Sequence, residues 1–386
     1  MDSINEREKG KPEAGQNSEI IPHLKGMAVR GLKRMFLPRE KRFVFRLRKN
    51  GHGVISEGVS RRYTAIALIG LAEESESVRA SILGHHSLNE VCEGLVKEVL
   101  QTEDLGDAAL TLWAAKAIGY PYRKPVWDRL FSLLLAEQPF PTVEAGWALS
   151  AFSLDHEMPF RDLQKTLALW LKTSFNPTSS LFPHVLGKEY RGMRSHVACF
   201  ADQVYPIHAL STYAKQSGDQ EALEIAIRCA DRICGLQGPA GQWWWHYDLR
   251  TGKIVEPYPV YAVHQDAMAP MALFALQESS GLDYTEPVSR GLAWLTHSPE
   301  LGGDSLIDEE GDIIWRKVCR RDPKKIVRGM QAVASKVHPT LRVPCIDLVF
   351  PPGGVDYEDR PYHLGWLLYA WSKPRLLKGK VREEGS

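Results

Sequence analysis

The stretch Gln265-Asp266-Ala267-Met268-Ala269-Pro270-Met271-Ala272-Leu273 is a polar lead-in followed by small and apolar residues. Met268, Met271, Ala272, Ala275 and Leu276 recur at intervals of three and four, the pattern of a helix with a wide buried face. The same arrangement returns at Ser60–Leu68, Gly106–Ala115, Val143–Phe152, Ala201–Leu210 and Tyr362–Trp371. Between these lie amphipathic segments with charged faces: Leu88–Leu100, Pro125–Glu137, Phe160–Thr173, Gln220–Leu236 and Glu286–His297. The Ala-rich helices read as an inner ring, because small side chains permit close helix approach, and the charged ones as an outer ring. Six such hairpins close into an all-α (α/α)6 toroid around a central cavity, with the inner-helix N-termini on one rim. An open solenoid is the alternative, but irregular spacing and the lack of capping repeats favour closure.

With 386 residues and 44% apolar content, the chain can bury one large core or two ordinary ones. Lys plus Arg number 48 against 47 Asp plus Glu, so no global field points to a nucleic-acid partner. No run approaches the ~18 apolar residues of a membrane span, and the polar N-terminus lacks a secretory h-region, so a cytoplasmic location is expected. Cys92, Cys199, Cys229, Cys234, Cys319 and Cys345 show neither disulfide-framework spacing nor a CxxC pair. They read as reduced thiols, with no metal site expected. No P-loop or GxGxxG is present, so no cofactor is expected either.

Residues 1–20 are polar and expected to be disordered, and 375–386 to form a flexible tail. Residues 21–55 form a basic amphipathic arm. Lys25 to Lys49 holds ten Lys or Arg and one acid, Glu40, interleaved with apolar residues such as Met27, Leu32, Phe36 and Phe43. Such a segment suits an outer helix strapped across the domain, or peripheral contact of residues 25–49 with an anionic membrane. The toroid is expected over 56–374, with 319–358 interrupting the repeat as a candidate lid. Asp304–Trp315 reads as an acidic hairpin loop, its register not fitting an EF-hand. Nothing in the patterning sets an oligomeric state.

The segment Gln237-x3-Gly241-x-Trp243 resembles the QW motif of squalene and terpenoid cyclases, and Asp266–Leu273 resembles the inner helix that carries their catalytic acid. The resemblance implies a structural role for Gln237 and Trp243, tying successive hairpins together. Where those cyclases carry AspxAspAsp, this chain has His264-Gln265-Asp266, a single carboxylate. Tyr362-His363 is similar to the zinc-binding Tyr-His of protein prenyltransferase β subunits, yet without their upstream AspxCys it implies no zinc. The helical rhythm over residues 56–372 resembles the wider α/α-toroid superfamily, which includes six-hairpin glycosidases, uronate-acting enzymes and sugar epimerases.

The lead-ins bring acids, histidines and arginines to one rim, which suits a hydrophilic, anionic substrate. Asp266 is expected as general acid or as one carboxylate of a pair, with His264 or His246 tuning its pKa or serving as base. Asp202 or Asp107, at equivalent lead-in positions, is the expected second carboxylate. Of Trp243, Trp244 and Trp245, at least one is expected in the core, and Trp244 and Trp245 offer indole faces to a pyranose ring. Arg61, Arg62, Tyr63, Tyr261, Asp248 and His363 complete the expected binding set, with Arg61 or Arg62 neutralising a substrate carboxylate. The function expected is an enzyme acting on a carbohydrate or glycan by hydrolysis, elimination or epimerisation. The alternatives are a terpenoid cyclase-like enzyme protonating an isoprenoid, and a non-catalytic binding or scaffold toroid.

Overall fold

The computed structural model describes residues 16–136, 139–154, 161–187, 192–322 and 324–372. Expectations for residues 1–15 and for the 375–386 tail lie outside the described residues. Outer and inner helices alternate along the chain. α1 (Gln16–Met35) is outer, and α2 (Arg61–Ala72) is inner; the short α3 (Glu76–Leu83) leads to the outer α4 (Leu88–Val99). Next come α5 (Leu105–Ala117, inner), α6 (Lys124–Leu135, outer), α7 (Thr142–Phe152, inner) and α8 (Arg161–Ser174, outer). Then follow α9 (Ala201–Ser217, inner), α10 (Gln220–Gly235, outer), α11 (Ala269–Ser280, inner) and α12 (Thr285–Thr296, outer). An insertion carries α13 (Ile326–Val337) and α14 (Ile346–Val349), and α15 (Pro361–Ala370) is the last inner helix.

Local chemistry sets the helix starts and stops. Ser60 caps α2 by accepting the Tyr63 N–H, Asp104 caps α5 by accepting the Asp107 N–H at 2.8 Å, and Ser87 and Glu90 form a reciprocal capping box on α4. Gly218 (φ 77°) and Gly281 (φ 75°) end α9 and α11 in left-handed conformations that cost other residues strain.

The inner ring closes. Contacts run from α2 to α5, α7, α9, α11 and α15, and α15 packs back on α2. At that junction Gly70 and Gly365 face each other across the helix pair; a Cβ at Gly365 would lie 2.7 Å from the Ile66 carbonyl oxygen. The inner helices are buried on nearly every side, as a two-layered ring requires, and the outer helices bury one stripe each.

The N-terminal arm is corrected at its start, and of its two expected placements it takes the outer helix strapped across the domain. Gln16–Ile20 belongs to α1 rather than to a disordered leader. Leu24, Met27, Ala28, Leu32, Met35, Phe36 and Phe43 are buried in the main core, each large apolar side chain contributing about 1.5–3 kcal/mol. Lys25 Nζ donates to the Trp371 carbonyl at 3.2 Å and pairs with Glu74 at 2.8 Å. The segment is the sixth outer helix, and the apolar side expected to meet a membrane is spent inside the protein. No helix among the described residues is long and apolar enough to cross a membrane.

Short strands, absent from the all-α expectation, decorate the rim. Arg42–Asn50 and Gly53–Val59 pair as a hairpin beside α2. In the insertion, Lys317–Arg320 pairs with Val260–Tyr261 on one side and Pro352–Asp356 on the other, while α13 packs on the strand Ile254–Glu256. The acidic 304–315 segment forms the expected hairpin, Ile307–Asp308 against Ile313–Ile314.

Candidate active site at the lead-in rim

The insertion, the last lead-in and the Trp run together wall a cavity of about 900 Å³. Nine Lys or Arg side chains line it against three acids, with Trp245, Tyr258 and Tyr261 as its aromatic surface. A chain with a formal charge of +1 thus sets nine of its 48 Lys and Arg around one cavity. The three acids do not cancel it. Glu358 is bound by Arg46, Arg316 and Arg360, and Asp356 by Arg316 at 3.3 Å and Lys317 at 2.8 Å. Arg320 is held by Glu256 at 2.7 Å and Asp347 at 2.6 Å. Arg48, Arg321, Lys325 and Arg328 have no ion-pair partner among the described residues, and the Arg328 guanidinium lies over the Trp245 ring, 4.8 Å from its centroid.

Behind Trp245 stands His246, stacked on it with centroids 4.2 Å apart. Burial, then the Arg194 charge, holds His246 well below the usual histidine range, so the ring is neutral; Arg194 Nη2 donates to its Nε2 at 3.1 Å. The strand pairing sets His246 opposite Cys199, and Asp202 follows at the start of α9. Asp202 is fully buried, accepting from His184 Nδ1 at 3.1 Å and from the Cys199 amide at 2.7 Å. The carboxylate raises the His184 pKa through its hydrogen bond and charge. His184, Cys199 and Asp202 place metal-ligand-type atoms within 4.8 Å of one another, but Asp202 is already satisfied by its two donors without a cation.

On the opposite side, Arg360 Nη1 donates to the Tyr63 hydroxyl at 2.9 Å, linking the cavity wall to α2. The next residue back, Arg62, is the hub of a cluster drawn from three inner-helix lead-ins. It binds Asp104, Asp107 at 2.8 Å and Glu144 at 2.9 Å, while Arg61 binds the other Asp107 oxygen at 2.9 Å. Burial alone would lower the Arg62 pKa, yet Glu144 and Asp104 raise it. Glu144 is shifted the other way for a carboxyl: burial raises its pKa, against the pull of Arg62. Glu144 and Asp107 therefore sit on one guanidinium, one of them favouring its proton.

The expected site residues separate accordingly. Trp245 and Tyr261 line the cavity; Tyr63, Arg61, Arg62 and Asp107 join the adjoining cluster, and His246 and Asp202 stand behind the Trp245 wall. Five others lie outside the cavity lining. Asp266 is fully buried in a π-turn, His264–Met268, where it accepts from His363 Nε2 at 2.8 and 2.9 Å. The extra residue of a π-turn rotates the following side chains about the axis, and Asp266 faces α15 rather than the cavity. His363 is consumed in that pair. His264 is sandwiched by Phe200 and Tyr261, and burial lowers its pKa to about 3. Asp248 accepts from Arg250 through its side chain and backbone, and Trp244 packs on Tyr258 in the wall's interior. Trp243 is fully buried, and Gln237 Nε2 bridges the Gly241 and Pro287 carbonyls, both at 2.9 Å.

Sequence reasoning missed Arg328, Arg316, Arg320 and Arg360. The run Arg316-Lys317 and Arg320-Arg321 flanking apolar residues was a visible signal, but only strand pairing to Val260–Tyr261 aims it at the Trp run.

Fold and rim together define an α/α-toroid protein with a cationic, aromatic-walled cavity. No protein-family model and no curated protein sequence matches the chain. Among solved structures it is similar to a cellobiose 2-epimerase from Spirochaeta thermophila, with TM-score 0.63 and 12% identity over 96% of this chain and 99% of that one. It is also similar to an unsaturated glucuronyl hydrolase specific for heparin, with TM-score 0.62 and 12% identity over 93% and 97%. A third is a possible member of the GH105 family from Salmonella enterica, with TM-score 0.61 and 9% identity over 98% and 100%. At these identities the likeness establishes the shared toroid fold.

Proposed function

We propose that this toroid is a carbohydrate-active enzyme whose cavity takes an acidic saccharide. The observation that carries the reading is Arg328 lying over Trp245 in a cavity where cations outnumber acids three to one. Trp245, stacked on His246 and covered by Arg328, orients that guanidinium, and Arg328, Lys325 and Arg48 offer unpaired charge to a carboxylate or sulfate on the sugar. The names of similar structures, a glucuronyl hydrolase and a cellobiose epimerase, agree with a saccharide in such a cavity. A carbocation would meet charge repulsion here, so an isoprenoid substrate has no support from the lining.

For the chemistry, Glu144 and Asp107 form the carboxyl pair that glycoside cleavage needs. Glu144 donates its proton to the glycosidic oxygen as the bond from that oxygen to C1 breaks. Asp107 takes a proton from the water that adds to C1, and that proton returns Glu144 to its acid form through solvent. A second reading, epimerisation, is favoured by the neutral His246 beside the Trp245 platform. The test is Trp fluorescence and calorimetric titration with uronate-containing and matched neutral disaccharides, followed by mass spectrometry of the products. Selective binding of the acidic sugar, abolished in Arg328→Gln, is expected. Equal response to both sugars, or to neither, overturns the proposal.

A further inference from the structure

The insertion that walls the cavity turns an apolar face outward. On α13, Ile326, Met330, Val333 and Val337 stand at positions i, i+4, i+7 and i+11, one face of the helix, and all four are exposed, Val337 at 75%. Further along the same insertion Leu341, Leu348 and Val349 are exposed as well, Leu348 at 84%. The other face of α13 is the one packed on the protein, through Val327, Gln331, Ala332 and Ser335. A row of this length is more than the scattered surface leucine that needs no explanation.

The charge around the row has one sign. Residues 321–349 hold six Lys or Arg and two Asp. Both Asp are engaged: Asp322 accepts the Val327 N–H at 2.9 Å and Asp347 pairs with Arg320 at 2.6 Å. Exposed Lys324 and Lys336 flank the row near its two ends. We infer that this face docks on a bilayer surface containing anionic lipid, with α13 lying parallel to the membrane. An apolar centre with cationic flanks is the composition that inserts side chains at the headgroup boundary while its charges meet anionic lipid.

Two other occupants fit less well. A symmetric dimer sets a patch against itself, and here that brings cations opposite cations. The chain's own ends are the other: the middle of α1 meets the residue after α15, where Lys25 Nζ donates to the Trp371 carbonyl, away from the lead-in rim that carries the insertion. Docking in this way sets the cavity, to which α13 contributes Val327 and Arg328, against the membrane face. The substrate is then one presented at that surface. The docking itself stands independently of the saccharide reading.

The test is sedimentation of the full chain with phosphatidylcholine vesicles made with and without phosphatidylglycerol, beside light scattering without lipid. The expected result is a monomer that sediments only with phosphatidylglycerol, and less at high salt. Met330→Ser/Val333→Ser/Val337→Ser and, separately, Lys324→Glu/Lys336→Glu each weaken vesicle binding by about tenfold or more, with unchanged melting temperature and unchanged saccharide titration. A wild-type chain that ignores phosphatidylglycerol vesicles overturns the proposal. So does a lipid-free dimer that the triple Ser variant converts to monomer, which assigns the face to a second copy.

Discussion

His363 Nε2 sits 2.8 and 2.9 Å from the two carboxylate oxygens of Asp266, and both side chains are shut away from solvent. The pair joins the π-turn ahead of α11 to α15 across the ring. Removing one member of a buried ion pair costs about 3–5 kcal/mol. Asp266→Ala is therefore expected to lower the melting temperature sharply while leaving saccharide affinity, measured below that temperature, unchanged. An Asp266→Ala protein that melts like wild type and has lost turnover returns Asp266 to the chemistry.

Glu144 is the predicted proton donor. Glu144→Gln keeps the shape and one acceptor oxygen, for either Arg62 or the Gly106 N–H, but has no acid proton to give, so turnover of an acidic saccharide falls by about 10²–10⁴ with binding retained. Because burial raises the Glu144 pKa, its acid form persists above the ordinary carboxyl range and activity declines as pH rises through that raised value. The pH–rate profile of Glu144→Gln lacks this alkaline limb.

Arg328, which pairs with no carboxylate among the described residues, is assigned the charge recognition in the proposed binding mode. A hydrogen bond to a charged group is worth about 1.5–3 kcal/mol, so Arg328→Gln weakens an acidic saccharide about 10–100-fold. Calorimetry with the matched neutral sugar shows no change. Parallel losses for both sugars argue for a disturbed wall instead.

Asp359, buried beneath α1 and the start of α15, has its pKa raised by burial to about 7, against the charge of nearby His363 and Arg34 and with that of Asp266. A folded pKa above the unfolded one means stability that is full at acid pH and drains as pH climbs from the ordinary carboxylate range to about 7. His363 is also raised, since Asp266 outweighs burial, and its contribution likewise drains with rising pH. Asp359→Asn removes the carboxyl part alone. Its melting temperature is expected to drop less than wild type between pH 5 and pH 8; parallel curves rule the assignment out.

Gly70 is the tightest point of the ring. A Cβ there runs into the Gly365 carbonyl, and backbone cannot move aside as a side-chain end can. Overpacking of this kind costs about 1–3 kcal/mol or more, so Gly70→Ala shifts the urea midpoint down while Gly329→Ala, which meets nothing within 4 Å, does not.

The toroid was legible because it rests on a local signal repeated: each lead-in and Ala-rich helix quoted from the sequence became an inner helix, and the charged segments between became outer ones. α1 was ambiguous because the moment of a basic amphipathic helix is the same whether its apolar face meets protein or lipid. The site was half legible for a related reason. Arg62, Asp107 and Trp245 lie beside helix or strand starts that the pattern locates. Arg328 and Arg360 reach the cavity beside strand pairings far apart in sequence, Val318 with Val260 and Asp359 with Leu47, which no local periodicity reports. Asp266 misled because one extra residue in a turn changes which way a side chain points, without changing its place in the repeat.

The position of α15 between α2 and α11 has a consequence for how the protein is made. α15 is the last inner helix in chain order, so a chain leaving the ribosome holds five inner helices with an open seam until residue 370 has emerged. Closing that seam is a long-range step, slower than the local pairing of each hairpin. Lys25 against Trp371 fastens the first outer helix to the last inner one, so the same late helix that closes the ring also locks the earliest one in place.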